Sequence, residues 1–310
     1  MKSINFPFLF VHIPKTAGTS LRSALMKAYS DGILACDYGL EEKATTKDIR
    51  QFVYEDKDIY KLIEKGVKGI YGHFPTSKYL HLSHCNNVIC FMRDPVERVI
   101  SEFKHVQRIE GYEGTLEEFV AIPRIINSQS QFLKGLPWVS YGFIGVSEQY
   151  DTALSLLSHK LGRSLKTSKL NTADKHQKMN VSSEQRALIE SLNNKDIKLY
   201  QQVIDKFEWR KKLSLAKELF MHGGWEYNRA RKAINGFAYY DDSDSVVILE
   251  MYVNGQFYKC IEAKNYHAVM QRAGVARLGY VGFRCSMELN SADEITLVNV
   301  RTGQPLPKVA

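Results

Sequence analysis

FVHIPKTAGTSLR (residues 10–22) is an apolar run that ends in a proline, a lysine and a set of small hydroxyl-bearing residues around one glycine. FLFVHI (8–13) predicts a buried strand, and Thr19 to Tyr29 predicts a helix directly after it. Backbone N–H groups at such a strand-to-helix turn point outward at the positive end of the helix dipole, where an anion is favoured. Gly18 permits close approach, Thr16, Thr19 and Ser20 supply hydroxyl donors, and Lys15 supplies a point charge. This is phosphate-loop chemistry, but the GK[ST] order is missing and the lysine precedes the glycine, which disfavours nucleotide triphosphate hydrolysis. An ordinary tight turn is the bland alternative.

Outward from this loop, short apolar runs alternate with helix-length amphipathic stretches. GIYGHF (69–74), VICFMR (88–93) and YGFIGV (141–146) read as strands. Residues 47–65, a segment after Pro95, and 150–161 read as helices. Strands alternating with helices indicate a parallel sheet covered on both faces, so the expected class is α/β: a P-loop-like parallel sheet flanked by helices. From 182 to 234 the pattern is helical and basic, with no strand signal. From 237 to 303 short β-type runs are separated by DDSD, NG and NSAD, and Asn254-Gly255 is a strong hairpin signal. The expected organisation is a first domain over 1–234 and a small all-β, sandwich-like accessory module over 235–310.

Composition narrows the class further. A hydrophobic content of 44% and a charged content of 25% are those of a globular chain, and no apolar run approaches a membrane span. Five cysteines without CxxC spacing argue against a disulfide framework or a zinc site, and no ligand cluster calls for a metal. With no signal-peptide pattern near the start, a cytoplasmic location of the bacterial type is expected. The net charge of +8 is local: residues 160–234 carry 17 basic and 8 acidic side chains, whereas 1–159 are balanced. A polyanion or an anionic small molecule would suit such a segment, and a solvated basic helix explains it equally well.

The second motif is FMRDPVERVISEF (91–103). Arg93 leaves the carboxyl end of a predicted strand, the edge where ligands sit in open α/β sheets, and Ser101 follows about two helical turns later. HIPKTAGTS and RDPVERVIS together resemble the paired binding motifs of sulfotransferases that use 3′-phosphoadenosine-5′-phosphosulfate (PAPS). The nearest likeness is to carbohydrate sulfotransferases of the heparan sulfate 2-O-sulfotransferase type, and it spans about residues 6–180. The resemblance implies that Lys15, Thr16, Ala17, Gly18, Thr19 and Ser20 hold the 5′-phosphosulfate. It implies that Arg93 and Ser101 hold the 3′-phosphate, with PAP as the product. It also implies that His73, in the Gly-His segment GIYGHF, is the catalytic base, with Lys15 neutralising charge on the leaving oxygen.

Other readings accompany this one. Glu97 is the alternative base, although a place in the first helical turn gives it a structural role. His12, inside the first strand, reads as a packed or supporting group. Asn127 and Gln131 share one helical face and could bind sugar hydroxyls or cap neighbouring elements. The basic polar loop 165–180 resembles a loop of related enzymes that closes over the nucleotide, which implies Lys169, Asn171 and Thr172 as nucleotide contacts; a mobile surface loop is the alternative reading. Arg210-Lys211-Lys212 and Arg229 to Lys232 could line an anionic acceptor. The aromatics of 237–258 could stack on sugars, but a β core is their commoner use. The expected acceptor is a carbohydrate or glycoconjugate hydroxyl, which can be anionic; no nucleic-acid partner is expected. A P-loop kinase of small molecules and a non-catalytic glycan-binding protein are the alternatives.

Overall fold

The structure, a computed structural model, describes residues 7–30, 33–166 and 179–309. Lys169, Asn171 and Thr172 lie outside the described residues. The chain forms two compact units. One comprises Met1–Leu82, Val88–Gly135 and Phe143–Phe207, and the other Ser83–Asn87, Leu136–Gly142 and Glu208–Ala310.

The first unit is built on five strands: β1 (Phe8–Val11), β2 (Ile33–Asp37), β3 (Val67–Gly72), β4 (Val88–Met92) and β5 (Phe143–Val146). They form one sheet in the order β2-β3-β1-β4-β5, and every pairing is parallel. All residues of β4 and β5 are buried, as a strand covered on both faces requires. The helices are α1 (Gly18–Ala28), α2 (Lys47–Ile49), α3 (Lys61–Glu64), α4 (Pro95–Glu110), α5 (Leu116–Val120), α6 (Ser128–Phe132), α7 (Tyr150–Leu161), α8 (Ser183–Leu192) and the start of α9 (Asn194–Ala216). Val99, Ile100 and Phe103 of α4 pack with Phe119 of α5 and Ile189 of α8 in one apolar cluster. The parallel α/β architecture is therefore as expected.

Two local expectations change. The helix expected over 47–65 is interrupted: α2 runs into a π-turn over Arg50–Glu55, and Lys57 adopts a left-handed φ of 54° before α3 begins. Strand β2, ILACD, is one that apolar patterning does not announce, because it is short and carries Ala35, Cys36 and Asp37.

The second unit takes the end of α9 and strands β6 (Met221–Asn228), β7 (Ala233–Tyr240), β8 (Val247–Val253), β9 (Gln256–Ala263), β10 (Asn265–Tyr266), β11 (Tyr280–Ser286) and β12 (Ile295–Asn299), with α10 (Ala268–Arg272). They form a four-stranded sheet, β10-β11-β7-β6, and a three-stranded sheet, β12-β8-β9, both antiparallel. Trp225, Ile234 and Phe283 of one sheet share a core with Leu249, Met251 and Leu297 of the other. Asn254 and Gly255, at φ of 51° and 77°, close the β8–β9 hairpin as their sequence predicts.

The helical reading of 182–234 is corrected here. The helix stops at Ala216, Lys217 takes a φ of 55°, and 221–228 is a strand. Glycines conceal it: Gly223 sits at φ 145°, and a Cβ there would lie 2.2 Å from the Phe237 carbonyl oxygen. The compact units accordingly divide at Phe207/Glu208, ahead of the 234/235 boundary that composition suggests. Among the described residues no helix is long and apolar enough to cross a membrane.

Candidate active site

β1 lies between β3 and β4, so the loops leaving the carboxyl ends of these three strands share one sheet edge. In an open parallel sheet this reversal of strand order creates the binding crevice. It gathers the Lys15 loop after β1, His73 after β3 and Arg93 after β4.

The loop is built by two non-glycine residues in left-handed conformation, Lys15 at φ 67° and Ala17 at φ 68°. Each costs roughly 1–2 kcal/mol, a strain that recurs at ligand-binding turns. Thr16 is buried and its hydroxyl donates to the Ile13 carbonyl at 2.9 Å, which stitches the turn shut. That side chain is thereby committed to the loop, while Thr19 is exposed and Ser20 half-buried. Helix α1 has no side-chain cap and no acidic residue in its first turn, so its leading N–H groups remain for an anion. Gly18 is required by packing: a Cβ there would stand 1.8 Å from His12 Nε2. The Tyr71 hydroxyl donates to the Gly18 carbonyl at 2.6 Å, holding the helix start from beneath.

Arg93 reaches this loop directly, its guanidinium donating to the Lys15 carbonyl at 3.3 Å. Its backbone is clamped by one side chain: Arg93 N–H donates to Gln129 Oε1 at 3.0 Å, and Gln129 Nε2 donates to the Arg93 carbonyl at 2.8 Å. Buried Asp196 in turn accepts from the backbone N–H of Gln129 and Ser130 and from the Ser130 hydroxyl. Asp94 is the cap of α4, accepting from Glu97 N–H at 2.9 Å, and Pro95 occupies the first turn. Lys15 has its affinity for protons lowered, first by burial, then by Arg108 and Arg93. His105 is likewise lowered by burial and then by Lys15, and its buried Nδ1 has no hydrogen-bond partner. Ser101, His105 and Arg108 recur at i, i+4 and i+7 of α4, so half-buried Ser101 shares a helix face with the two groups that interact electrostatically with Lys15.

His73 sits one residue beyond β3, its N–H donating to the Asp37 carbonyl at 2.9 Å. The ring stands against His12, with centroids 4.4 Å apart, against Tyr38 at 4.8 Å and against Phe132 at 6.4 Å. The residue is open to solvent on one side and walled by protein on the others. That crowding, together with the Arg22 charge, lowers its pKa to about 4, so the imidazole is neutral near pH 7. His12 Nδ1 lies 3.2 Å from the Tyr38 hydroxyl, and burial keeps this ring neutral as well.

The arrangement sorts the remaining candidates. Glu97 forms an exposed ion pair with Arg186 at 3.0 Å, consistent with the structural role of a first-turn acid. Asn127 accepts from the N–H groups of Lys195 and Asp196 and donates to Leu192, while Gln131 donates to Ile126; both tie elements together. Arg210 is committed to Asp241 at 2.9 Å within the second unit. Phe237, Tyr239 and Tyr240 are core, whereas Phe257 and Tyr258 are exposed. Gln129, Tyr71, Tyr38 and Arg22 are site residues to which the sequence reading assigns no role, although Arg22 and Tyr71 lie inside stretches it singles out. Asp37 is another: its buried carboxylate accepts from Lys78, Tyr79 and Tyr54.

This crevice falls within a region of recognised likeness. The model of the Sulfotransferase family matches residues 4–132. The match is shorter than half the chain and runs from before β1 to the end of α6, thus spanning the Lys15 loop, His73, Arg93, Ser101 and Gln129. Among solved structures, a sulfotransferase from Alicyclobacillus acidocaldarius is similar at 14% identity and a TM-score of 0.35, over 68% of this chain and 96% of that one. No protein of curated function matches the chain.

Proposed function

We propose that the chain is a PAPS-dependent sulfotransferase that modifies a carbohydrate hydroxyl by in-line displacement. The observation that carries this reading is the convergence of an uncapped helix start, Lys15 and Arg93 on one sheet edge with a neutral, solvent-facing histidine. Neither Lys15 nor Arg93 pairs with a carboxylate among the described residues, so both cations are available to a bisphosphate. The orphaned Nδ1 of His105 on the adjoining helix face fits the same anion-rich ligand.

PAPS, when bound, supplies the sulfuryl group and a leaving group that is already a stable anion. Lys15, Thr16, Ala17, Gly18, Thr19 and Ser20 would hold its 5′ end and Arg93 and Ser101 its 3′-phosphate. The N–H groups of the loop and the Lys15 ammonium stabilise charge that grows on the bridging oxygen as the sulfur–oxygen bond breaks. His73 accepts the acceptor hydroxyl's proton as the new oxygen–sulfur bond forms. Gln129 and Tyr71 keep Arg93 and the helix start in register, since misplacement of about 1 Å can cost on the order of a hundredfold in rate.

Calorimetry with PAP and with ATP tests the reading. PAP should bind far more tightly than ATP, Arg93→Ala should weaken it, and Lys15→Ala should abolish most labelled-sulfate transfer. Preference for ATP would instead support the kinase reading.

A further inference from the structure

His73 differs from most enzymatic histidine bases in what surrounds it. Its ring makes no hydrogen bond to, and has no carboxylate beside it from, any described residue; its orientation comes from the rings of His12, Tyr38 and Phe132. A base of the Ser-His-Asp type is served by a carboxylate that orients it and stabilises its protonated form. Here the neighbouring charge has the opposite sign. Arg22, one turn into α1, lies over the Tyr38 ring at 5.5 Å, and Tyr38 packs against His73. Arg22 is half-buried and pairs with no carboxylate among the described residues. Compare Arg98 and Arg210, buried and half-buried, each of which has one.

Arg22 hydrogen-bonds Tyr38 but has no carboxylate partner among the described residues, and a cation so placed beside a base that lacks a counter-ion is an arrangement that a ligand anion completes. We infer that Arg22 is the acceptor-selecting residue: it binds an anionic group that the acceptor carries next to the reacting hydroxyl, a carboxylate, sulfate ester or phosphate ester. That anion takes the place of the missing protein carboxylate. Bound at Arg22, it offsets the cation that adds to burial in holding protons off His73, and it stabilises the imidazolium formed as the hydroxyl loses its proton. A neutral acceptor would meet the same base without this help. The groups facing His73 are His12 from the end of β1, Arg22 from α1, Tyr38 from the end of β2 and Phe132 from α6, so Arg22 is the permanent charge among them.

The inference rests on the sulfotransferase reading, and one set of samples separates the two. The protein is first saturated with PAP, followed by calorimetry; absence of PAP binding would remove the sulfotransferase reading itself. The His73 titration is then followed by imidazole NMR with glucuronate, methyl sulfate, methyl phosphate and, as neutral control, glucose. In the wild type at least one anion should move the His73 midpoint up by about one pH unit, and glucose should not. Arg22→Gln should start from a higher midpoint and lose the response, while keeping PAP affinity; Arg22→Lys should retain a weaker response. Intact PAP binding with no response to any of the three anions, or an equal response in Arg22→Gln, overturns the inference and leaves the sulfotransferase reading standing.

Discussion

The two units each hold a cluster of histidine, arginine and aromatic side chains, and they use it in opposite ways. In the second unit His222 and Arg210 converge on Asp241, at 3.3 and 2.9 Å, with His222 fully buried and stacked on Tyr239. Arg210 also donates to the Gly142 carbonyl and covers the Phe220 ring. The Arg210 charge is closed on a carboxylate there, so the cluster is a fastening. At the sheet edge of the first unit, Lys15, Arg93 and Arg22 have no carboxylate partner among the described residues, and His73 faces solvent. Residue type therefore does not distinguish a site from a fastening. Whether the charges are closed on one another does, because an unpaired cation held on rigid elements retains its interaction energy for a ligand.

Four experiments bear on this contrast. The largest effect is expected from His73→Ala, which should lower sulfate transfer by about 10²–10⁴-fold with PAP affinity retained; His222→Asn should leave transfer per folded molecule unchanged. Undiminished labelled-sulfate transfer by His73→Ala would remove the base assignment. Next, Asp241→Ala leaves the half-buried Arg210 without its counter-charge and should cost roughly 3–5 kcal/mol of stability in urea unfolding. Its effect on transfer should be confined to the loss of folded protein. Gln129→Ala removes both hydrogen bonds to the Arg93 backbone and should raise the PAP dissociation constant about tenfold, as 1–2 kcal/mol of lost positioning implies.

The smallest effect concerns pH. His73 is held below its ordinary value, so its neutral, proton-accepting form persists as pH falls and is lost only near the lowered pKa of about 4. In a pH–rate profile of the free enzyme, kcat/KM should change little from about pH 7 to about pH 5 on account of this group. An acid limb centred near the ordinary histidine value of about 6.5 would show that the imidazole is not crowded in this way.

Much of the fold is legible because it is locally encoded. FLFV, VICFM and FIGV are apolar in the uninterrupted manner of buried parallel strands, Asp94-Pro95 announces α4, and Asn254-Gly255 announces its hairpin. Strands β2 and β6 are not legible. Their residues are small or glycine-rich, and they become strands through pairing with β3 and β7. The site divides in the same way. Lys15, Gly18 and Arg93 belong to motifs whose backbone conformation is local. Gln129, Tyr38, Tyr71 and Arg22 have no role that their neighbours in sequence announce, because what matters in each is a contact to a residue distant in sequence or across the sheet.

By itself, then, the amino-acid sequence determined an α/β unit with an anion-binding turn after its first strand, an arginine after a later strand and a β-rich carboxyl-terminal region. Each of these follows from the conformational preference of a few adjacent residues. Tertiary structure alone decided that β1 lies between β3 and β4, and hence that His73, Lys15 and Arg93 leave adjacent strands along the edge that parallel strands share. It also decided which cations are closed by carboxylates and which are left for a ligand. Strand order and charge pairing both depend on residues brought together over long separations, where burial and hydrogen bonding outweigh local propensity.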